Sequence, residues 1–228
     1  MLGSVLAAPG LGALAADVPV PVPDTMAQRA KACVGCHGAQ GRSLPTGYVP
    51  RLAGKPAGYL QAQLRAFREG RRQNETMAGL LETLDDAMLQ SLAGYFSALE
   101  LPYPAPASLP PAGALAQRAE RLVREGDAAR GVPACAGCHG ERLTGIAPFV
   151  PGLLGLPQDY LVSQLGAWRS GQRHARAPDC MARIAADLTP DDISLLSQWL
   201  AAQRVPEPAR PAADAPAHWP KDCGSLAP

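Results

Sequence analysis

The sequence predicts an all-α fold of two small lobes, related by duplication and joined by a proline-rich linker. Three observations carry this. Apolar residues recur at helical spacing in Tyr59 to Glu69 and in Tyr160 to Ser170. No segment alternates with period two over the length of a strand. The second half of the chain repeats the first, colinearly, at offsets of 101 to 104 residues.

Composition bounds the rest. The chain has 228 residues, room for one large domain or two small ones, and its 47% apolar content can supply a core. Lys and Arg number 21 against 20 Asp and Glu, a formal net charge of +1, which excludes a generic nucleic-acid binder. No run of 18 apolar residues occurs, so no transmembrane helix is expected, and peripheral membrane association stays open. Aromatic residues are only 5%, a thin supply for two cores, so something else is expected to fill them.

In chain order, residues 1–16 are apolar and small and carry an A-x-A pattern at Ala13-Leu14-Ala15. They read as a signal peptide for export to the periplasm, although no Lys or Arg precedes the apolar run. Residues 17–100 form the first lobe. Within it the helices are expected over Thr25 to Cys36, Tyr59 to Glu69, and from Asp85-Asp86 onward. Residues 101–113 (LPYPAPASLPPAG) are a semi-rigid spacer. Residues 114–204 form the second lobe, with helices over Leu115 to Arg130, Tyr160 to Ser170, and from Thr189. Thr189 suits the N-cap, Pro190 the N1 position, and Asp192 answers at N3. Residues 205–228 are a proline-rich tail.

The matched segments locate the chemistry. Cys33-Val34-Gly35-Cys36-His37-Gly38 recurs as Cys135-Ala136-Gly137-Cys138-His139-Gly140. Two cysteines three apart near a helix end lie on one face. They can add to the two vinyl groups of a haem, and the following His then ligates the iron from the proximal side. A zinc site would need its two Cys pairs within one local unit, but about a hundred residues separate these pairs. A thioredoxin-like Cys-x-x-Cys needs a βαβ context, which is missing. Two covalently bound haem c groups are therefore expected, at Cys33, Cys36 and His37 and at Cys135, Cys138 and His139. A macrocycle at the centre of each lobe also accounts for the scarce aromatics.

With these boxes, the Pro-x-Leu-x-Gly boxes (Pro50 to Gly54, Pro151 to Gly155), the Tyr-Leu-x-x-Gln-Leu helices and the Gly126 to Cys135 segment, the chain resembles the class I c-type cytochromes. More closely, it is similar to the dihaem cytochrome c4 family from Thr25 to about Gln203. The resemblance implies two tandem class I cytochrome c domains packed face to face, with haem propionates near their interface, and a role in periplasmic electron transfer. It also implies that the carbonyls of Pro50 and Pro151 accept the Nδ1–H of the proximal His. It places the sixth iron ligand in the loop between the second and last helices of each half. That loop holds Met77 in the first half and Met181 in the second. Besides His37 there is no His between Ala16 and Pro104, so the first half lacks a second His of its own. The intervals His37 to Met77 and His139 to Met181 are 40 and 42 residues. Met26 and Met88 fall on helices, and His174 competes for the second iron from an Arg-rich stretch.

Cys180 and Cys223 remain and have no counterpart in the first half. In an oxidising compartment an even remainder suggests a disulfide; two free thiols, or a Cys180 paired with a partner protein, are the alternatives. Arg71, Arg72 and Arg173 could meet propionates, although such residues are more often simply exposed.

The expected function is outer-sphere electron transfer, not catalysis. Partners would be redox proteins such as a terminal oxidase, a reductase or a periplasmic dehydrogenase. A dedicated cytochrome subunit of one such dehydrogenase, in thiosulfate or alcohol oxidation, is the first alternative. A peroxidase-like haem enzyme with one open iron is the second, and it requires that Met77 or Met181 not bind.

Overall fold

The first repeat opens on Thr25, whose side chain accepts from the Gln28 amide and starts α1 (Met26–Arg29). A single helix was expected here. Instead the chain tightens at Ala30, where the Cys33 amide reaches back only three residues, and resumes as α2 (Lys31–His37). Gly38, at φ +75°, ends it. After the Pro50 box come α3 (Ala57–Arg68), α4 (Glu75–Leu81) and α5 (Asp86–Ser97), the last capped by Asp85. This computed structural model describes residues 22–44, 48–106 and 108–226. The signal-peptide expectation for residues 1–16 lies outside them.

The second repeat begins with α6 (Gly113–Arg124), which stops six residues short of the expected end. Gly126 sits at φ +78°, and a Cβ there would lie 2.4 Å from the Val132 carbonyl, so the backbone turns out of the helix at that point. Asp127 then caps a 3-10 turn, and β1 (Gly126–Asp127) pairs antiparallel with β2 (Val132–Pro133). The haem-box helix α7 (Cys135–His139) follows, then β3 (Gly145–Ile146) paired with β4 (Val150–Pro151). α8 (Gln158–Arg169), α9 (Cys180–Asp187) and α10 (Pro190–Ala202) complete the repeat. The described strands span two residues each, which fits the all-α expectation.

Each half has its own core. Leu60 of α3 meets Leu92, Ala93 and Phe96 of α5 and Ala30 in the first. A larger cluster, including Leu122, Val123, Leu143, Leu161, Leu196 and Trp199, fills the second. α10 opens with the expected capping box: the Thr189 side chain accepts from the Asp192 amide, and the Asp192 carboxylate accepts from the Thr189 amide.

The segments bearing Met77 and Met181 were expected as loops and are short helices. Asn74 caps α4 by accepting from the Met77 amide, and Asp179 caps α9 by accepting from the Ala182 amide. One polar side chain suffices to start each, so hydrophobic periodicity gave no sign of them. Cys180 and Cys223 form a disulfide, with Cα atoms 5.1 Å apart. It ties the tail to the first turn of α9.

The linker is held by Arg51, a buried side chain of the first half. Its guanidinium donates to the carbonyls of Ala53, Leu101 and Pro102 and lies 4.0 Å from the centroid of the Tyr103 ring. The two halves meet through α3, α8 and the loops that follow them. Phe149 packs on Gly58, the Tyr59 amide donates to the Pro148 carbonyl, and the Gln73 amide to the Gln172 carbonyl. Among the described residues no helix is long and apolar enough to cross a membrane.

Candidate haem sites

Both box histidines are buried at the C-terminal ends of their helices. Nδ1 of His37 lies 2.7 Å from the Pro50 carbonyl oxygen, and Nδ1 of His139 lies 2.8 Å from that of Pro151. A carbonyl only accepts, so Nδ1 carries the proton and donates, and Nε2 keeps its lone pair. Burial pulls both imidazoles below the ordinary histidine range; the bond to the proline carbonyl opposes this, and Arg72 (for His37) and Lys55 (for His139) add to it. The neutral ring is the form that binds a metal, and the proline bond fixes its orientation.

The cysteines precede the histidines on the same short helices. Burial raises the thiols of Cys33 and Cys138, and pushes Cys135 up to about 11. Cys36 is exposed, whereas Cys138 is half-buried. Met77 and Met181 are half-buried in the first turns of α4 and α9, which pack on α3 and α8 respectively. Met26 and Met88 pack against the first core. His174 is exposed, and its amide donates to the Arg71 carbonyl on the far side of the interface.

The arginines correct the expectation of simple exposure. Arg71 is half-buried and paired with Glu69, but Arg72 and Arg173 are both buried. Arg72 donates to Gln63 of its own half and to Tyr160 and Gln164 of the other. Arg173 donates to Gln164 of its own half and to Tyr59 and Gln63 of the other. The pattern is reciprocal, as at a two-fold interface. Burial, and then the neighbouring Arg72 charge, pull the Arg173 guanidinium below its ordinary range. Neither arginine has a carboxylate within ion-pairing distance among the described residues. Trp168 adds an orphan: its Nε1 is buried with no acceptor among the described residues, and Arg173 lies 3.8 Å from its ring centroid. In the first half Phe67 occupies the matching place under Arg72.

This donor set fits haem. Two thiols, a neutral oriented imidazole and a thioether are present in each half. Two buried guanidiniums and an unsatisfied indole N–H offer neutralisation and a hydrogen bond to carboxylates, as a porphyrin's propionates would require. Sequence reasoning missed Trp168, which has no polar counterpart in the repeat. It also left Tyr59, Gln63, Tyr160 and Gln164 as mere repeat markers, because their shared offset of 101 signals duplication and the core residues Leu60 and Leu161 share it.

An all-α fold with two Cys-x-x-Cys-His boxes, each His held by a proline carbonyl, defines a c-type cytochrome. The cytochrome c family model matches residues 27–94. The thiosulfate dehydrogenase electron acceptor of Thiomonas intermedia is 40% identical over 174 residues, 76% of this chain and 79% of that one. Cytochrome c4 of Pseudomonas aeruginosa is 36% identical over 181 residues, 78% of this chain and 87% of that one. Among solved structures, reduced cytochrome c4 from Pseudomonas stutzeri superposes with a TM-score of 0.65 at 32% identity, covering 78% of this chain and 97% of that one. The thiosulfate dehydrogenase TsdBA of Marichromatium purpuratum gives a TM-score of 0.64 at 34% identity, covering 74% of this chain and 36% of that longer chain. The chain belongs to the cytochrome c4 family. It is an electron-carrying dihaem cytochrome with two covalently bound haem c groups.

Proposed function

We propose that the protein is a periplasmic outer-sphere relay with both irons closed by His–Met ligation, and that it takes its electrons from a dehydrogenase that oxidises thiosulfate. The reading assigns one haem to residues 17–100, ligated by His37 and Met77, and the other to residues 114–204, ligated by His139 and Met181. Residues 101–113 act as the spacer and 205–228 as an added tail. The observation that carries it is the matched set in the two halves: a neutral His with Nδ1 spent on a proline carbonyl, and a half-buried Met in the first turn of a capped helix.

Haem iron, when bound, supplies a one-electron couple, and Met–His ligation raises its potential. The chain's own residues do the rest. Pro50 and Pro151 fix the ligand rings. Arg72, Arg173 and Trp168 would hold the propionates at the interface between the halves. The two cores would keep water from the macrocycles. Held by His37 and Met77 in one half and by His139 and Met181 in the other, the irons would keep no site for substrate, so the protein would carry electrons without catalysis of its own. The thiosulfate assignment draws on the relatives, two of which are electron acceptors of thiosulfate dehydrogenase.

The test is optical. The oxidised protein should show the weak near-infrared Met–Fe(III) band, and Met77→Ala or Met181→Ala should each lower it to about half. A band untouched by both changes, or rapid carbon monoxide binding to the unaltered protein, would sink the closed-iron reading. Reduction by thiosulfate only when the dehydrogenase is added tests the partner.

A further inference from the structure

The two haem boxes differ in what covers them. A Cβ placed on Gly35, inside the first box, meets nothing within 4 Å among the described residues, and Cys36 beside it is exposed. A Cβ on Gly137, inside the second box, meets the Pro220 ring at 3.0 Å, and Cys138 is half-buried. Pro220 belongs to the tail, and among the described residues no such segment lies over the first box.

The course of the tail is fixed at several points. Arg210 pairs with Glu100 at the end of the first half. The Ala212 amide donates to the Gly145 carbonyl at 2.9 Å, and its carbonyl accepts from the Ala147 amide at 2.7 Å, which sets the tail against β3. Arg142, just after the box, donates to the Pro208 carbonyl at 3.0 Å. Pro220 then crosses α7. On the other side Arg183 of α9 donates to the Asp222 carbonyl at 2.7 Å, the Gly224 amide donates to the Pro178 carbonyl at 2.9 Å, and Cys223 is bonded to Cys180. The tail therefore runs from the proximal strands, over the box helix, to the helix bearing Met181, and a covalent bond secures its far end.

The thioether carbons of a haem c are joined to the box cysteines, so whatever covers those cysteines covers that edge of the macrocycle. We propose that residues 205–226 form a disulfide-anchored strap that closes the thioether edge of the second haem to protein partners, leaving the edge at Cys36 as the port for electron exchange. Electrons pass between the second haem and the outside by way of the first. This rests on the reading that each half holds a haem.

The experiment uses the oxidised full-length holoprotein and a neutral, soluble gadolinium chelate. Haem-edge protons are assigned through the β-protons of Cys33, Cys36, Cys135 and Cys138, and their broadening by the chelate is compared. The first-half set should broaden several-fold more than the second. In a chain ending at Val205 the second set should rise to the level of the first, while the first set, an internal control, stays unchanged. Should that chain fail to fold, Cys223→Ser in the full-length protein should raise the second set part of the way. Equal broadening of the two sets in the unaltered protein overturns the strap. A protein showing only one set of haem resonances overturns the two-haem reading instead, so the two failures are told apart.

Discussion

Asp192 has no exposed side-chain surface, yet it carries a charge at the head of α10. Burial alone would push its carboxyl up; hydrogen bonds from Arg130, then from the Thr189 backbone and hydroxyl, outweigh this and hold it below the usual carboxylate range. Arg118 closes the other oxygen at 2.5 Å. The sign follows from linkage. A carboxyl depressed in the folded state contributes stability that is complete above its unfolded value of about 3.9, and that is lost as pH falls through the lower folded value. Asp192→Asn should therefore lower the thermal midpoint at neutral pH and flatten the acid limb below about pH 4, read by circular dichroism melts across pH. An unchanged acid limb would remove Asp192 from the account. This capping residue was legible from Thr189-Pro190-Asp191-Asp192, because a box has fixed spacing. Trp168 was not legible, because its role depends on what surrounds Nε1. Trp168→Phe copies Phe67 of the first half and removes the unsatisfied donor. The second haem's potential should fall on the order of tens of millivolts and the first should hold, measured by spectroelectrochemical titration.

At the scale of elements, α3 and α8 were read to within about two residues, because an amphipathic stripe three turns long is a strong signal. The break at Ala30, the early end of α6 and the distal helices α4 and α9 were not read. Each is decided by a single cap, a glycine at positive φ or one short hydrogen bond, none of which leaves a period in the sequence. The tail's composition announced stiffness but not direction. Close approach of α3 to the second half gives a test in which two effects compete. Alanine in place of a helical glycine gains up to about 1 kcal/mol. At Gly58 the new Cβ would lie 2.5 Å from the Phe149 ring and 2.8 Å from the Pro148 backbone oxygen, a clash with backbone that no rotamer relieves. Overpacking of this kind costs about 1–3 kcal/mol, so Gly58→Ala should destabilise on balance. At Gly94 of α5, with nothing within 4 Å, the same change should stabilise. Urea titrations giving the same sign for both variants would refute the contact.

Over the whole molecule, the duplication has made an interface that resembles a dimer within one chain. Arg72 and Arg173 each cross it, and each is bonded to a Gln of its own half and to a Gln and a Tyr of the other. Two cations buried side by side among neutral partners repel each other and have lost their hydration, an arrangement that is costly unless anions lie nearby. Propionates from both haems would meet that need. Since each guanidinium is held by both halves, its charge acts on both irons. A unit charge about 10–15 Å away in a medium of effective dielectric near 20 is worth about 1 kcal/mol, on the order of 50 mV for a one-electron couple. Loss of positive charge favours the oxidised iron. Arg72→Gln should therefore lower both potentials, not only that of its own half, and Arg173→Gln should do the same. An exposed arginine such as Arg204, changed likewise, should leave both potentials in place. A titration in which each variant moved only the haem of its own half would show that the arginines serve the two sites separately, and the reciprocal bonds would then be packing alone.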